Sequence, residues 1–584
     1  MKTSCVALTA LVAAFTLLLG ATPGTLSAQE PGVIQGLVTD AQSGEPISGA
    51  QVSIRGTGTG TITNNDGRYL LSRVPAGRAE IRVEYIGYSA QARTIEVPAG
   101  GTATENFELG VTAIELEELV ATGYAQQTRR EVSSAISSIQ ATDVERNVVA
   151  SLDAALQGKA AGVQVVQNAG NPGVGMTVRV RGSASITASN QPLYVVDGVP
   201  IFREDFSQFG AGGQDLSAIT GLNPDDIESI NILKDAAAAA IYGSRGSNGV
   251  IMITTKRGAA SEGAPRLSVN VSGGIQEASK RLDMLDADQY VQFFSDAMLF
   301  DGFTQDEVDD VLSFVNPGVN TDWQDEVLRT APMSNTQVSI NGGSDRFRYY
   351  LSGTYFDQEG IVIGSAYTRA AGRVNLDFQA TDRLNFSTSL SLSQESNDRI
   401  DADNSIVSPI ANAIANEPVV PVYNDDGTFA DQASYSNPVA VGELNEMEAR
   451  TLRSFGNVTA EYGVTSWLRA NARVGFDVLQ LREYEYQSPM VDKTYAAGVD
   501  GVAQIGNTQA RRYLAEGYLT ADRYFGAHEL SVTAGASAEL TDTEDSYARG
   551  EGFTSTDLHW PTNAARPVDV DGTFWEHNLV SYFA

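Results

Sequence analysis

The chain has 584 residues, with 39 Lys+Arg against 72 Asp+Glu and a formal net charge of −33. Hydrophobic residues at 42% and charged residues at 19% exclude a disordered chain, and the length exceeds what one hydrophobic core supports. The acidity argues against nucleic acid as partner, since phosphate binding needs dense Lys/Arg, and the single cysteine, Cys5, leaves the rest of the chain without disulfides or cysteine metal sites.

Residues 1–28 are predicted to be a secretory signal peptide. Lys2 supplies the positive start, Val6 to Leu19 is an apolar run of about 14 residues, and Leu26-Ser27-Ala28 offers small residues for cleavage. The run is shorter than the ~20 residues a membrane helix needs. No comparable run follows, so entry into a membrane would require a β-barrel.

From Val33 to Leu109 short β-rich runs alternate with turn signals, such as Asp66-Gly67 before Arg68-Tyr69-Leu70-Leu71. Period-two β-branched and aromatic residues without a helical stripe predict a β-sandwich over 29–110. The string GTGTGT, Gly56 to Thr61, lacks the Lys-Ser/Thr of a phosphate loop and is expected to be a turn. The stretch GLVTDAQSGEPISGAQVSIRGTGTGTITNNDGRYLLSRVPAG resembles the carboxypeptidase regulatory-like domain that precedes many outer-membrane receptors.

Residues 111–124, VTAIELEELVATGY, predict a short strand without an obvious partner, able to add to another protein's sheet edge. The alternative is an interdomain linker. The residues Glu117, Glu118, Leu119, Val120, Ala121, Thr122, Gly123 and Tyr124 resemble the TonB box of SusC/RagA-type TonB-linked outer-membrane proteins. Ala121 and Thr122 depart from the more valine-rich family form.

Residues 125–260 predict a mixed α/β domain. Ser151 caps a helix starting at Leu152, and Thr177 to Gly182 alternates as a strand. Leu193 to Val196 and Val199 to Ile201 flank Asp197-Gly198, a hairpin signal placing φ > 0 at Gly198. Asn223-Pro224-Asp225-Asp226 opens a short helix, with both carboxylates facing its positive end; that reading leaves little room for acid–base chemistry. Ala236 to Ala240 predicts a small-residue helix, and Gly249 to Thr255 a strand. In order and spacing, ALQGKAAGVQVVQNAGNPG, VRVRGSASI, PLYVVDGVPI and NPDDIESINILKDAAAAAIYGSRGSNGVIMITTKRG resemble the plug domain of the SusC/RagA family.

From about residue 264 to 584 long period-two segments appear. Leu384, Phe386, Leu390 and Leu392 stand against Asn385, Ser387, Ser389, Ser391 and Ser393. Leu468, Ala470, Val474 and Val478 stand against Arg469, Asn471, Arg473 and Asp477, and Phe347, Leu351 and Tyr355 against Arg348, Ser352 and Thr354. These runs reach the ~9–11 residues needed to cross a bilayer; segments 451–463 and 510–525 alternate less cleanly. Short turns near 341–344, 380–382, 463–465 and 525–527 alternate with longer connections near 277–333, 358–366, 395–450, 481–508 and 542–572. That parity is the mark of an outer-membrane barrel. About ten strands are expected, against about 22 in plugged transporters, so the chain is expected to be the first part of a longer one. TDWQDEVLRTAP, Thr321 to Pro332, also resembles the SusC/RagA barrel.

The fold class expected is therefore β: a sandwich, an α/β plug and the first part of a transmembrane antiparallel barrel in the outer membrane, with plug and sandwich on the periplasmic side. The resemblance implies TonB-dependent import of oligosaccharides or peptides, no enzymatic activity and no cofactor. It implies as partners TonB with its ExbB/ExbD energy complex, a SusD-like surface lipoprotein and outer-membrane lipid. A siderophore or cobalamin receptor is the alternative. His528, His559 and His577 lack metallopeptidase spacing and are expected to be surface or girdle residues.

Overall fold

The computed structural model describes residues 30–584 apart from 42, 56, 58, 86, 111–118, 122–125, 129–135, 145–150, 184, 187–188, 212–213, 215, 218, 236–238, 261–263, 317, 402–404, 406, 433, 527 and 556. The expected signal peptide, most of segment 111–124 and part of the helix expected from Ala236 lie outside the described residues. The chain divides into two compact units, Met1–Glu118 and Leu119–Ala584.

In the first unit, β1 (Gly32–Asp40) pairs antiparallel with β4 (Arg68–Val74) and parallel with β7 (Thr102–Thr104) and β8 (Phe107–Leu109). The second sheet runs β3 (Gly60–Ile62), β2 (Gln51–Ile54), β5 (Gly77–Glu84), β6 (Gln91–Val97). Alternate residues meet between the sheets: Ile34, Val38, Leu71 and Phe107 from one, Val52, Ile54, Ile81 and Val83 from the other. Of the GTGTGT string, Gly56 and Gly58 lie outside the described residues; Thr57 N donates to Ile54 O at 3.2 Å and Gly60 opens β3.

The second unit opens with β9 (Leu119–Ala121) and β10 (Gln126–Thr128), paired antiparallel. The strand expected to lack a partner thus has one in its own chain. Backbone groups pair where they can.

The α/β domain is a five-stranded sheet ordered β11 (Ile136–Gln140), β16 (Ile227–Leu233), β17 (Val250–Thr255), β14 (Leu193–Val196), β15 (Val199–Pro200). A separate hairpin joins β12 (Val163–Gln167) to β13 (Met176–Val180). Strands β14 and β17 run parallel and are buried on both faces, which explains the apolar runs Leu193 to Val196 and Val250 to Ile253. Leu193, Val195, Val250 and Met252 pack on one side, and Tyr194, Val196, Ile251 and Ile253 on the other, with Leu152 and Leu156. Ser151 caps helix Leu152–Leu156, its Oγ accepting from Ala154 N at 3.3 Å. Beyond 236–238, the chain runs through a 3-10 segment, Ala240–Gly246, broken at Gly243 with φ 59°.

Ten strands follow in one antiparallel sheet, each paired with its neighbours in sequence. They are β18 (Arg266–Gln276), β19 (Ala331–Gly343), β20 (Phe347–Glu359), β21 (Ala366–Thr381) and β22 (Leu384–Asp398), then β23 (Glu446–Thr465), β24 (Leu468–Gln487), β25 (Val502–Phe525), β26 (His528–Glu551) and β27 (Arg566–Phe583). Several strands outrun their expected bounds. Segment 451–463 extends to Glu446–Thr465 and 510–525 to Val502–Phe525, so the long connections shorten to 488–501 and 552–565. Alternation stops where an apolar face is no longer required, but ladder hydrogen bonds continue. The connections 277–330 and 399–445 also hold helices, including Ala287–Phe300 and Pro438–Leu444.

The two faces of this sheet differ as the alternation predicts. Leu392, Val458, Val474, Leu519 and Leu540 are exposed on one face, while Ser389, Ser391, Asn457, Asp477 and Glu516 are buried on the other, the face that carries the α/β domain. At the short-turn end, Phe347, Phe378 and Phe386 lie directly opposite one another on three adjacent strands. Exposed Tyr462, Trp467, Tyr524 and Phe525 continue that aromatic band. Towards the long-loop end the apolar face gives way to Gln480, Arg482 and the Arg511–Asp542 pair at 2.7 Å. An apolar band bounded by an aromatic row is the surface a bilayer selects.

Candidate functional site

The site is the seam between the α/β domain and the ten-stranded wall. Asp197 and Gly198 form the two-residue loop between β14 and β15, with φ of 48° and 87°. Positive φ at both positions is the type I′ geometry. The loop meets the wall directly: Arg473 Nη1 donates to Gly198 O at 3.1 Å and Asn457 Nδ2 to Asp197 O at 3.3 Å. The Asp197 carboxylate accepts from Thr255 N at 3.1 Å, and from Thr255 Oγ1 and Ser389 Oγ at 2.7 Å each. Arg373 Nη1 lies 3.6 Å from it, and both side chains are only 2% exposed. Burial pushes the Asp197 carboxyl upward, but Arg257, Arg373 and the two hydroxyls outweigh it and hold the group below its ordinary range.

Asp225 and Asp226 lie in the single 3-10 turn Pro224–Asp226, which Asn223 caps. So short a turn has little dipole to complement, and that expectation is corrected by where the carboxylates point. Asn335 Nδ2 donates to Asp225 at 2.8 Å. Tyr350 Oη at 2.9 Å, Ser352 Oγ at 2.6 Å and Gln337 Nε2 at 3.1 Å all donate to Asp226 Oδ1. The pair docks the domain onto β19 and β20.

A second row of contacts lies nearer the long loops. Arg453 holds Asp477 through two hydrogen bonds of 2.9 and 2.7 Å, and Phe202 N also donates to Asp477 at 2.7 Å. Arg399 lies 3.2 Å from Glu483, which also accepts from Gln208 N at 2.6 Å and from the Ser207 hydroxyl. Arg369 donates to Thr220 O at 2.7 Å, and Thr220 Oγ1 donates to Glu395 at 2.6 Å. Arg245 of the domain pairs with Glu539 of β26.

The seam is thus mainly polar, with arginines mostly on the wall and carboxylates on both sides; Phe455 and the cluster of Leu479 and Leu481 with Phe206 and Leu216 add apolar contact. Sequence reasoning missed the roles of Arg369, Arg373, Arg399 and Arg453. For Arg369, Arg373 and Arg453 the one signal was position on the polar face of an alternating strand, as for Arg473 and Asp477; Arg399 lies just beyond the end of β22 and had none. Taking one partner from a buried pair costs about 3–5 kcal/mol, yet such pairs add less net stability than an apolar core of equal size. A surface of this kind fixes register while remaining separable.

Of the segment resembling a TonB box, Leu119, Val120 and Ala121 form β9; Glu117, Glu118, Thr122, Gly123 and Tyr124 lie outside the described residues. His528 and His577 are exposed. His559 is not simply a surface residue: its ring stacks on Tyr486 with centroids 4.0 Å apart, because the 552–565 connection folds back onto β24. Among the described residues no helix is long and apolar enough to cross a membrane.

Comparison with known proteins follows the same divisions. The carboxypeptidase regulatory-like domain family matches residues 33–110 and the TonB-dependent receptor plug domain family residues 128–250. TonB-dependent receptor P3 of Formosa agariphila is 33% identical over 97% of this chain and 54% of its own length. TonB-dependent receptor SusC of Bacteroides thetaiotaomicron is 31% identical over 94% of this chain and 54% of its own. The chain therefore spans about half the length of the curated relatives it matches. Among solved structures, the RagAB peptide importer in its open-open state shares the fold, with a TM-score of 0.69 over 80% of this chain and 54% of its own at 23% identity.

Proposed function

The chain belongs to the TonB-dependent receptors of the SusC kind, and from that premise we propose that it forms the plug and first wall strands of an importer of large nutrients across the outer membrane. The observation that carries this reading is the polar seam. A domain docked by hydrogen bonds and ion pairs, rather than by a continuous apolar core, can be drawn off the wall and reseated. The outer membrane has no nucleotide supply, so the work comes from a TonB partner pulling on the segment around Glu117 to Tyr124, with ExbB/ExbD behind it. The cargo is peptide or oligosaccharide, delivered with a SusD-like lipoprotein. Resemblance to the RagAB peptide importer favours peptide. The chain's role is transport, not catalysis. The sandwich and α/β domain face the periplasm, and residues 1–28 direct export.

Val120→Pro tests this. Val120 pairs with Gln127 in the ribbon, and proline removes the N–H by which the strand would pair with any partner. In the full-length protein, uptake is lost while surface binding of cargo persists. Unchanged uptake places the TonB contact elsewhere.

A further inference from the structure

In the middle of the wall, where β22 ends with β23 and β24 alongside, two plug loops meet the first residues of the 399–445 connection. We propose that Arg399 and Ile400 are a positioning pair that couples the seating of the plug to the packing of helix Pro438–Leu444 in that connection. The inference deepens the importer reading above, on which it rests for the plug being drawn off the wall.

Arg399 is 3% exposed and Glu483 1%. Arg399 Nη1 lies 3.2 Å from both Glu483 Oε1 on the wall and Ser207 Oγ on the plug, while Nη2 donates to Gln214 O at 2.9 Å. One side chain thus holds wall and plug together, through donors that a planar guanidinium fixes on separate nitrogens. Its backbone N donates to Met447 O at 2.7 Å, which closes the base of the connection. Ile400 continues the arrangement. Its carbonyl accepts from Asn171 Nδ2 and from Gln214 Nε2 at 3.1 Å each, and Asn171 Nδ2 also donates to Gln214 Oε1 at 2.7 Å.

The side chain of Ile400 meets different neighbours. A Cβ built on Gly364, in the 360–365 turn, would lie 3.2 Å from Ile400 Cγ2 and 2.5 Å from Gly442 O of the helix. The turn is wedged between Ile400 and the helix with no room for a methyl group. Ile400 therefore has its carbonyl on the plug and its side chain in the packing beneath the helix. When the plug is drawn off, Ile400 O loses the donors of Asn171 and Gln214, and Glu483 loses those of Ser207 and Gln208. Only water can replace them, and water admitted there loosens the packing of Ile400 and of the helix above it. A load that shifts the helix acts in the opposite direction, displacing the Ile400 carbonyl from the plug, since coupling between two sites is reciprocal.

The test is hydrogen exchange read by mass spectrometry on the full-length protein in detergent, with neither TonB nor cargo present. Asn171→Leu changes the plug alone and is expected to speed exchange in 438–444 by about fivefold or more, while β16 and β20 keep their native rates. Gly364→Ala presses on Gly442 and Ile400 and is expected to speed exchange in the plug loops 168–175 and 202–208 by a similar factor. Arg399→Lys keeps the charge but gives up the separate nitrogens, and is expected to speed exchange in the helix and the plug loops together. Native rates in 438–444 for Asn171→Leu, or in the plug loops for Gly364→Ala, overturn the coupling. A rise spread evenly over β16 and the wall also overturns it, since that reports only a looser fold, and a change on one side alone in Arg399→Lys removes Arg399 from the pair. None of these rates depends on transport; the importer reading fails separately, if Val120→Pro leaves uptake unchanged.

Discussion

Gly198 shows how one residue joins the domain to the wall. A Cβ built there would lie 2.3 Å from Arg473 Nη1 and 2.5 Å from its Cζ, and the residue's φ is 87°. Gly198→Val therefore adds backbone strain of about 1–3 kcal/mol and drives Arg473 from its 2.8 Å contact with Glu516. The wall strands keep their ladders, so the damage falls on the seal. The expected outcome is greater sensitivity of cells to large antibiotics, with the heat stability of the wall nearly unchanged. A tight seal and normal uptake in this variant would show that the turn tolerates a side chain.

At the scale of elements, the helix Leu152–Leu156, which packs on β14, is also tied to it by a buried hydrogen bond, Tyr194 Oη donating to Asp153 Oδ1 at 2.8 Å. Burial raises the Asp153 carboxyl to about 6, only partly opposed by hydrogen bonds from Tyr194 and Ser217. The sign follows from proton binding. Between pH ~4, where the unfolded carboxyl ionises, and pH 6, the folded group holds its proton while the unfolded one has lost it. Stability from this residue is therefore fully present below pH ~4, falls through that window and stays low above it. Asp153→Asn keeps an acceptor for Tyr194 and removes the titration. Relative to the native protein, the variant gains about 2–3 kcal/mol between pH 4 and pH 7. Hydrogen exchange over 152–196, corrected for its intrinsic pH dependence, reads this difference; a constant offset across pH would show that Asp153 does not titrate there.

For the whole molecule, the apolar face and aromatic row make a claim about location. Full-length protein is expected to fractionate with outer membranes and to migrate differently on gels when unheated. Recovery in a soluble periplasmic fraction would sink the barrel reading. Solubility cannot be argued from the absence of membrane helices, because strands that alternate Leu390 and Leu392 with Ser389 and Ser391 hide their membrane face from any hydropathy window.

Local chemistry was legible in the amino-acid sequence. The Asp197-Gly198 turn, the Ser151 cap and the two faces of β22 each depend on a few adjacent residues whose conformational preferences act at short range. The tertiary structure alone decided the rest. Phe202 meets Asp477 across 275 residues of chain, and Asp226 gathers donors from β19 and β20, pairings that no local periodicity encodes. Strand ends moved because ladder hydrogen bonds outlast the apolar alternation that revealed the strands. β9 found a partner in β10, a pairing the apolar run itself does not specify. Arg369, Arg373, Arg453 and Arg473 of the seam showed in the sequence only as polar positions on a strand. Their role depends on which domain packs against that face, and that is settled by long-range packing.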